Sequence, residues 1–565
     1  MEKRVLAAIA LSIGVLFLFR YYEERQALQM AGQKPAASRP APATPSPAAP
    51  APAAAEAPAS AAPAPAPSVP LPAEETVSEQ KIVVEGSLYR AVLDNRGAVL
   101  VSWQLNKYKS AKGDIFDMVS AAHVEQRTYP AALEFDDPAL TALANQQNYV
   151  VVSDGLPEGD GTLKAPATVV MRLRRGEVLI EKRFRFDDGN YLLEVSTLAQ
   201  RGGQPLPGRM LVGQDIGPEH EHLLNPSVVL SAVYDLNGKV QREAAPKAEN
   251  ETKTISGNIL WTGLEIQYFA AIAIPSRPLG EFRMQHRVVE AAGLAGEQLK
   301  RSLIPMTVVA DNSVSYRLYL GPKSQAQLEA IRGADLSDVV NYGMFSIIVR
   351  PLLVALQFIN QYARNYGVAI ILLTFILTLA LFPFRLKQMV SMKKMQALQP
   401  RIKEIQERYK RYKKADPKRA EMNQEIMAVY KENHVNPLGG CLPLLLQMPL
   451  LFAFYSLLAY SIDLRQAPFF WWIHDLSVKD PLYILPIVMG ITMLISQKMT
   501  PMSPGADPTQ AKMMMIMPVV FTIFFLNVSS GLNLYFLCSN VFQIAFQKIA
   551  ERWMGDQQSV SRSKA

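Results

Sequence analysis

The sequence predicts a multidomain membrane protein. A large β-sandwich stands between an N-terminal signal-anchor helix and an α-helical core bundle of five spans, and a helical hairpin is inserted into the bundle. Three observations predict this. Long uncharged apolar runs occupy the first 25 residues and much of 340–550. Residues 80–335 alternate apolar and polar with period two. The positive charge is gathered into one stretch, 385–432.

Across 565 residues the chain is 49% hydrophobic and 19% charged, which excludes both a uniform membrane bundle and a wholly disordered chain. Segregation explains the mean. Residues 31–72 hold 13 Pro and 17 Ala, whereas 440–550 is largely apolar. Cys441 and Cys538 are too few for a disulfide framework and read as small buried hydrophobes. Residues 385–432 hold 14 Lys and Arg against 6 Asp and Glu, which accounts for the entire net charge of +8. A basic surface for DNA is therefore not indicated.

Taken in order, Met1-Glu2-Lys3-Arg4 precedes 15 uncharged residues, 5–19, with Tyr21 and Tyr22 extending the run at an interface. No small-residue cleavage site follows directly, so 1–25 reads as an uncleaved signal anchor with its amino end in the cytoplasm. Residues 26–78 read as a disordered Pro/Ala-rich linker, an extended tether with no chemistry. The β-sandwich is expected over 79–338. There 88–94 and 98–105 flank an Asn95-Arg96-Gly97 turn, and 178–186 places Phe184 and Phe186 opposite Arg183 and Arg185. Asp187-Asp188-Gly189-Asn190 then turns the chain into 191–196.

The membrane core is expected over 339–550, with spans at about 367–385, 441–461, 482–498, 512–527 and 531–548 and a tail at 551–565. Residues 367–384 carry no charge and make about 27 Å of helix, enough to cross. If the apolar run 343–362 crossed as well, the basic stretch would lie outside, against the positive-inside rule. That run is therefore read as a helix lying in the outer interface. Six spans result, with both termini and the helical hairpin 386–433 in the cytoplasm. The hairpin breaks at Pro400, and its stripes Ile402, Ile405, Tyr409 and Met422, Ile426, Val429 can pack together.

Motifs for nucleotide or metal binding are missing: no phosphate-cradling Gly-rich loop, no His-Glu-x-x-His, no Cys-x-x-Cys. No cofactor is called for. Ser391-Met392-Lys393-Lys394 fits a Ser-x-x-Lys spacing, but Lys394 sits in a strongly basic stretch where it stays charged and hydrated. No catalytic residue is assigned, and the chain is not read as an enzyme. Polar residues within the spans are more informative. Asn533, Phe536, Asn540, Gln543 and Gln547 fall on one helix face, and Thr374 and Thr378 share a face that continues to Arg385. Gln447 lies in the third predicted span counted from the anchor. Such residues face a bundle interior or a wet cavity, and a stripe this long favours a hydrated groove over simple helix packing. Fifteen of 23 methionines follow residue 385, as fillers of a membrane core. Two readings of the hairpin stand. Lys393, Lys394, Arg401, Lys413 and Lys414 either set topology as a solvated cluster or dock anionic lipid, ribosomal RNA or a targeting factor.

Asn436-Pro437-Leu438-Gly439-Gly440-Cys441-Leu442-Pro443, continuing through Gln447-Met448-Pro449, closely resembles the signature of the YidC/Oxa/Alb family of membrane protein insertases. So do Arg364-Asn365-Tyr366-Gly367, Leu464-Arg465-Gln466-Ala467-Pro468, Asp480-Pro481, and Ser530-Gly531-Leu532 with Tyr535. The likeness covers about 336–550. A looser one over 85–325, through Asn95-Arg96-Gly97, Trp261, Tyr268-Phe269-Ala270 and Gly321-Pro322-Lys323, is to the periplasmic domain of the Gram-negative form. The resemblance implies a multi-pass inner-membrane insertase and chaperone. It would insert and fold nascent inner-membrane proteins, alone or with the Sec translocon, through a groove open to cytoplasm and lipid. It further implies that a basic groove residue stands where this chain has Thr378, and a second polar contact, commonly Tyr, where it has Phe536. Arg385 could reach the same space by snorkelling. The competing class is a polysaccharide or solute transporter with a sugar-binding β-domain. It expects inverted repeats and intramembrane carboxylates, and neither is seen.

Overall fold

The computed structural model describes residues 77–563, leaving out 111, 121–122, 124–126, 153–161, 219–228, 245–250, 293–297, 413–416, 434–441 and 500–507. The signal anchor and nearly all of the Pro/Ala linker lie outside the described residues, as do Lys413, Lys414 and Cys441.

Two sheets form the β-sandwich. The smaller runs Ile115–Asp117, Val99–Lys109, Tyr89–Asp94, Lys81–Glu85, Thr162–Lys164, and only its last pairing is parallel. The larger has 15 strands; its centre runs Leu279–Ala292, Glu251–Glu265, Phe269–Pro275, Ser315–Pro322, Leu192–Arg201, Val178–Phe186, Ala167–Arg175. Aromatic rings join the two inner faces. Tyr89 stacks on Trp103 at 4.0 Å, Trp103 on Phe186 at 6.4 Å, and Phe116 on Phe269 at 4.0 Å. Alternation works as expected: Phe184 and Phe186 point inward, Arg183 and Arg185 outward. A short helix, α1 (Pro138–Gln146), packs at the sheet edge and another, α2 (Gln325–Glu329), follows the last strand.

Lys182 departs from the apolar pattern, being fully buried on the inward face of its strand. Its ammonium donates to the carbonyls of Gly97 at 2.7 Å, Ala98 at 3.1 Å and Ala131 at 2.7 Å, one acceptor for each N–H. Gly97 and Ala98 both have left-handed backbones, φ 78° and 47°, so the lysine holds the turn after Asn95. Burial pushes the Lys182 pKa down to about 7.

After the β-sandwich the described α-helices are α3 (Ser346–Ala363), α4 (Tyr366–Ala397), α5 (Gln399–Arg408), α6 (Lys418–Glu432), α7 (Leu442–Tyr460), α8 (Ile484–Met499), α9 (Pro508–Phe525) and α10 (Ser530–Ser563). Two boundaries differ from expectation. The span expected to end near 385 continues through Ala397, so the first arm of the hairpin is partly the same helix. The break falls at Leu398, because Pro400 lacks the N–H to continue a helix but sits comfortably in the first turn of α5. Helix α10 likewise runs far past 548, through Ser563. In the hairpin, Met395, Ile402 and Tyr430 form a small core, and Arg408 pairs with Glu425 at 2.9 Å.

The packing sequence is α7 on α3, α3 on α4, α4 on α10, α10 on α8, and α8 on α9, with α7 touching α10. The loop joining α7 to α8 ties these ends together. Asp480, buried, caps α8 by accepting from Leu482 N and Leu485 N and also accepts from Trp472 Nε1. Asn365 caps α4 at Val368 N and donates to Phe469 O.

The same loop docks the β-sandwich. The Arg465 guanidinium lies 5.3–5.7 Å from the Phe116, Tyr268 and Phe269 rings and donates to Lys109 O at 2.9 Å. Gln466 brackets Lys109 from both sides, donating to its carbonyl and accepting from its N–H. A second tie is a buried network. Glu265 accepts from Lys323 at 3.0 Å and Arg242 at 2.9 Å, while Arg242 also reaches the carbonyls of Asp338 and Val339 that lead to α3. Burial alone would raise the Glu265 pKa; Lys323 and Arg242 hold it below the carboxylate range.

Two predictions follow from these joints. Unfolded Lys182 keeps its proton up to about 10.5, whereas the folded one releases it from about 7. The unfolded state therefore binds more protons between those values, and stability rises with pH across that window and is flat below it. The melting temperature of the full chain in detergent, followed through buried Trp103 and Trp261, should climb from pH 7 to 9. Lys182→Met should abolish that climb and cost about 1–3 kcal/mol for the orphaned carbonyls. Arg465→Ala should weaken docking by about 1–2 kcal/mol. Spin labels at exposed Arg185 and Ile487 should then show a broadened distance distribution; an unchanged width would remove Arg465 from the joint.

Candidate functional site: the interior of the helix bundle

Thr374 and Thr378 are buried on α4, and each hydroxyl donates to a carbonyl one turn back, Ile370 O at 2.6 Å and Thr374 O at 2.7 Å. Their donors are spent within the helix, so this face offers lone pairs and methyl groups only. Arg385, seven residues on, is half-buried. Side chains on a helix lean toward its N-terminus, which turns the guanidinium back along α4. Tyr535 of α10 stacks on Phe454 of α7 at 4.1 Å.

The α10 stripe is turned elsewhere. Asn533 is 0% exposed and its amide donates to Phe525 O at 3.2 Å, Val528 O at 3.1 Å and Ser529 O at 3.4 Å, bracing the turn from α9 into α10. Phe536 meets Phe525 edge-on at 4.8 Å, and Gln547 donates to Met499 O at the end of α8. The stripe thus faces α8 and α9. The opposite side of α10 faces α4 and α7 with aromatic rings: Tyr535 on Phe454, Phe542 on Phe375 at 5.3 Å, Phe546 on Phe382 at 5.1 Å.

The residues expected on one surface are therefore divided by α10. Thr374, Thr378 and Arg385 belong to α4. Asn533, Phe536, Asn540 and Gln543 belong to the other side. Asn533 Oδ1 and Asn540 Nδ2 are buried and have no hydrogen-bond partner among the described residues. Gln447 lies on α7, and its side chain is outside what is described. Of the hairpin cations, Lys394 and Arg401 are exposed and Lys393 half-buried. Sequence reasoning missed Phe542 and Phe546. With Tyr535 of the family signature they are spaced by seven and four and mark the face opposite the stripe, and that spacing was readable.

A β-sandwich joined to a bundle of apolar helices, with half-buried Arg385 and buried Asn533 among them, defines a membrane protein with a large extramembrane domain. Two family profiles match consecutive parts of the chain: the YidC periplasmic domain over residues 81–355 and the 60Kd inner membrane protein over residues 358–557. The membrane protein insertase YidC of Citrifermentans bemidjiense is 35% identical across 98% of this chain and 100% of that protein. Its counterpart in Syntrophus aciditrophicus is 34% identical across 84% and 85%. A crystal structure of an active YidC insertase with its first transmembrane domain resolved is 18% identical, covers 83% of this chain and 92% of that one, and has a TM-score of 0.35. The chain belongs to the YidC family of membrane protein insertases. It is an inner-membrane protein with a periplasmic β-rich domain and apolar helices.

Asn533 braces a turn, and this makes a prediction distinct from a role in substrate contact. Asn533→Leu should cost about 1–3 kcal/mol by leaving carbonyls of the α9–α10 turn unsatisfied. The melting temperature in detergent reports it; no change would mean that those carbonyls are satisfied without the amide.

Proposed function

We propose that the chain takes a nascent inner-membrane protein from the cytoplasmic side, holds its hydrophilic flank inside the helix bundle and releases its apolar segment sideways into lipid. The observation that carries this reading is the match to membrane protein insertases over nearly the whole chain. The mechanism rests on Arg385. A charge at the bilayer centre costs roughly 2.5–3.5 kcal/mol on insertion scales. A guanidinium carried back along α4 from half-buried Arg385 offsets that cost for an acidic flank, in the role that the family resemblance gives to the position of Thr378. Asn540 and Gln543 provide a second polar surface, toward α8 and α9. A water molecule or a substrate amide there satisfies Asn540 Nδ2. The substrate's apolar helix then meets exposed apolar side chains such as Ile376, Ile487 and Ile516.

The topology proposed with it has six spans, both termini and the hairpin in the cytoplasm, and the β-sandwich in the periplasm. Both 343–363 and α4 are long and apolar enough to cross. Polar bonds support α3 lying flat in the outer interface instead. Arg350 pairs with Asp338 at 2.7 Å, and Gln357 donates to Asp463 of the α7–α8 loop at 2.8 Å. Those positions are about 10.5 Å apart along the helix, yet both bond groups outside the bundle. The Sec translocon acts beside the bundle, and Lys393, Lys394 and Arg401 offer a docking surface to the ribosome, a targeting factor or anionic lipid. The transporter reading is not retained, since the five spans contain no Asp or Glu.

Reconstituted vesicles test the mechanism. Arg385→Ala should slow insertion of a single-span substrate with an acidic flank by about tenfold, the equivalent of about 1.4 kcal/mol. Arg385→Lys should retain most of the rate, and a substrate with a neutral flank should be unaffected. Equal effects of Arg385→Ala on both substrates would overturn the assignment of Arg385.

A further inference from the structure

The loop between α7 and α8 carries an uncharged stretch, Pro468-Phe469-Phe470-Trp471-Trp472-Ile473. Two backbone bonds close it into a tight turn, Phe469 N to Ile473 O at 3.0 Å and Ile473 N to Phe470 O at 2.9 Å. Its base is fixed on both sides. The Phe469 ring lies so close to Gly367 that any Cβ there would overlap it, Asn365 Nδ2 donates to Phe469 O, and Trp472 Nε1 donates to Asp480. The tip is bare. Phe470 is 64% and Trp471 81% exposed, and Trp471 has a left-handed backbone, φ 43°, unusual for a bulky aromatic residue.

A braced turn that holds two large rings outward, one of them in a strained conformation, needs surroundings that favour those rings. We propose that Phe470 and Trp471 form a wedge that inserts into the headgroup–acyl boundary of the outer leaflet and sets the depth of the outer end of the bundle. Position and continuity identify lipid as the occupant. The base is tied to the first residues of α4 and to the cap of α8, the level at which both helices leave the bilayer. Exposed Leu482, Tyr483 and Ile484 continue the apolar surface from the turn toward Ile487 and Ile491 on α8. Tryptophan, with an apolar ring and one N–H, suits this boundary better than either water or hydrocarbon. The inference rests on the membrane placement proposed above.

The full chain in vesicles of phosphatidylethanolamine and phosphatidylglycerol, brominated either near the headgroup or deep in the acyl chain, provides the test. It has five tryptophans, so the Trp471 signal is the difference between the native chain and Trp471→Phe. Shallow bromines should reduce that signal by about twofold, deep bromines less, and aqueous iodide little. Quenching by iodide but not by bromolipid would place the tip in water. Protection from both would mean that protein covers it, a second copy or a partner. Either result overturns the wedge. Phe470→Trp in the Trp471→Phe background should report the same depth and guards against a local defect in one variant. Ile487→Trp in that background separates the two readings. If deep bromines quench it while Trp471 stays unquenched, the membrane placement stands and the wedge falls; if they do not, the placement itself fails.

Discussion

Away from water, a polar group inside the bundle is costly unless it finds a partner, and this requirement shapes the helical half of the protein. Asn533 spends its amide on three carbonyls of a turn. Thr374, Thr378 and Thr522 spend their hydroxyls on carbonyls one turn back, and Thr492 does the same with Met489 O. Asp480 is consumed by the cap of α8 and the Trp472 indole. Groups used in this way stabilise helices and turns and are not available to a guest. The proposed substrate contacts rest instead on Arg385, Asn540 and Gln543.

A similar logic joins the two halves. The β-sandwich meets the bundle through Arg465, a cation over three aromatic rings, and through the Gln466 bracket on Lys109. The loop that carries them also seats Phe469 on α4 and Asp480 on α8. One short segment therefore contributes both to the seating of the β-domain and to the joining of the α4 and α8 ends. The buried Glu265 network adds a second tie at the chain's passage into α3.

Much of the architecture was legible from residue patterns. Alternation in 178–186 assigned Phe184 and Arg183 to opposite faces correctly, because a strand's geometry makes that a local property. Helix ends were less legible. Hydropathy marks where a helix becomes polar, and α4 and α10 continue as helices after that point because nothing in the backbone stops them. Spacing put the α10 stripe on one face, but the direction of that face was invisible. Periodicity measures angles around a helix axis and says nothing about which neighbour stands at each angle.

The sequence by itself determined the strand faces, the apolar runs, the clustering of positive charge and the family signature, since each is carried by neighbouring residues. Only the tertiary structure decided that α10 separates Arg385 from the Asn540 face, that Lys182 is the buried clasp of a turn, and that Arg465 reaches Lys109 across 356 residues of chain. Those outcomes depend on packing between distant segments, where burial and the need for hydrogen-bond partners select one arrangement that no local pattern encodes.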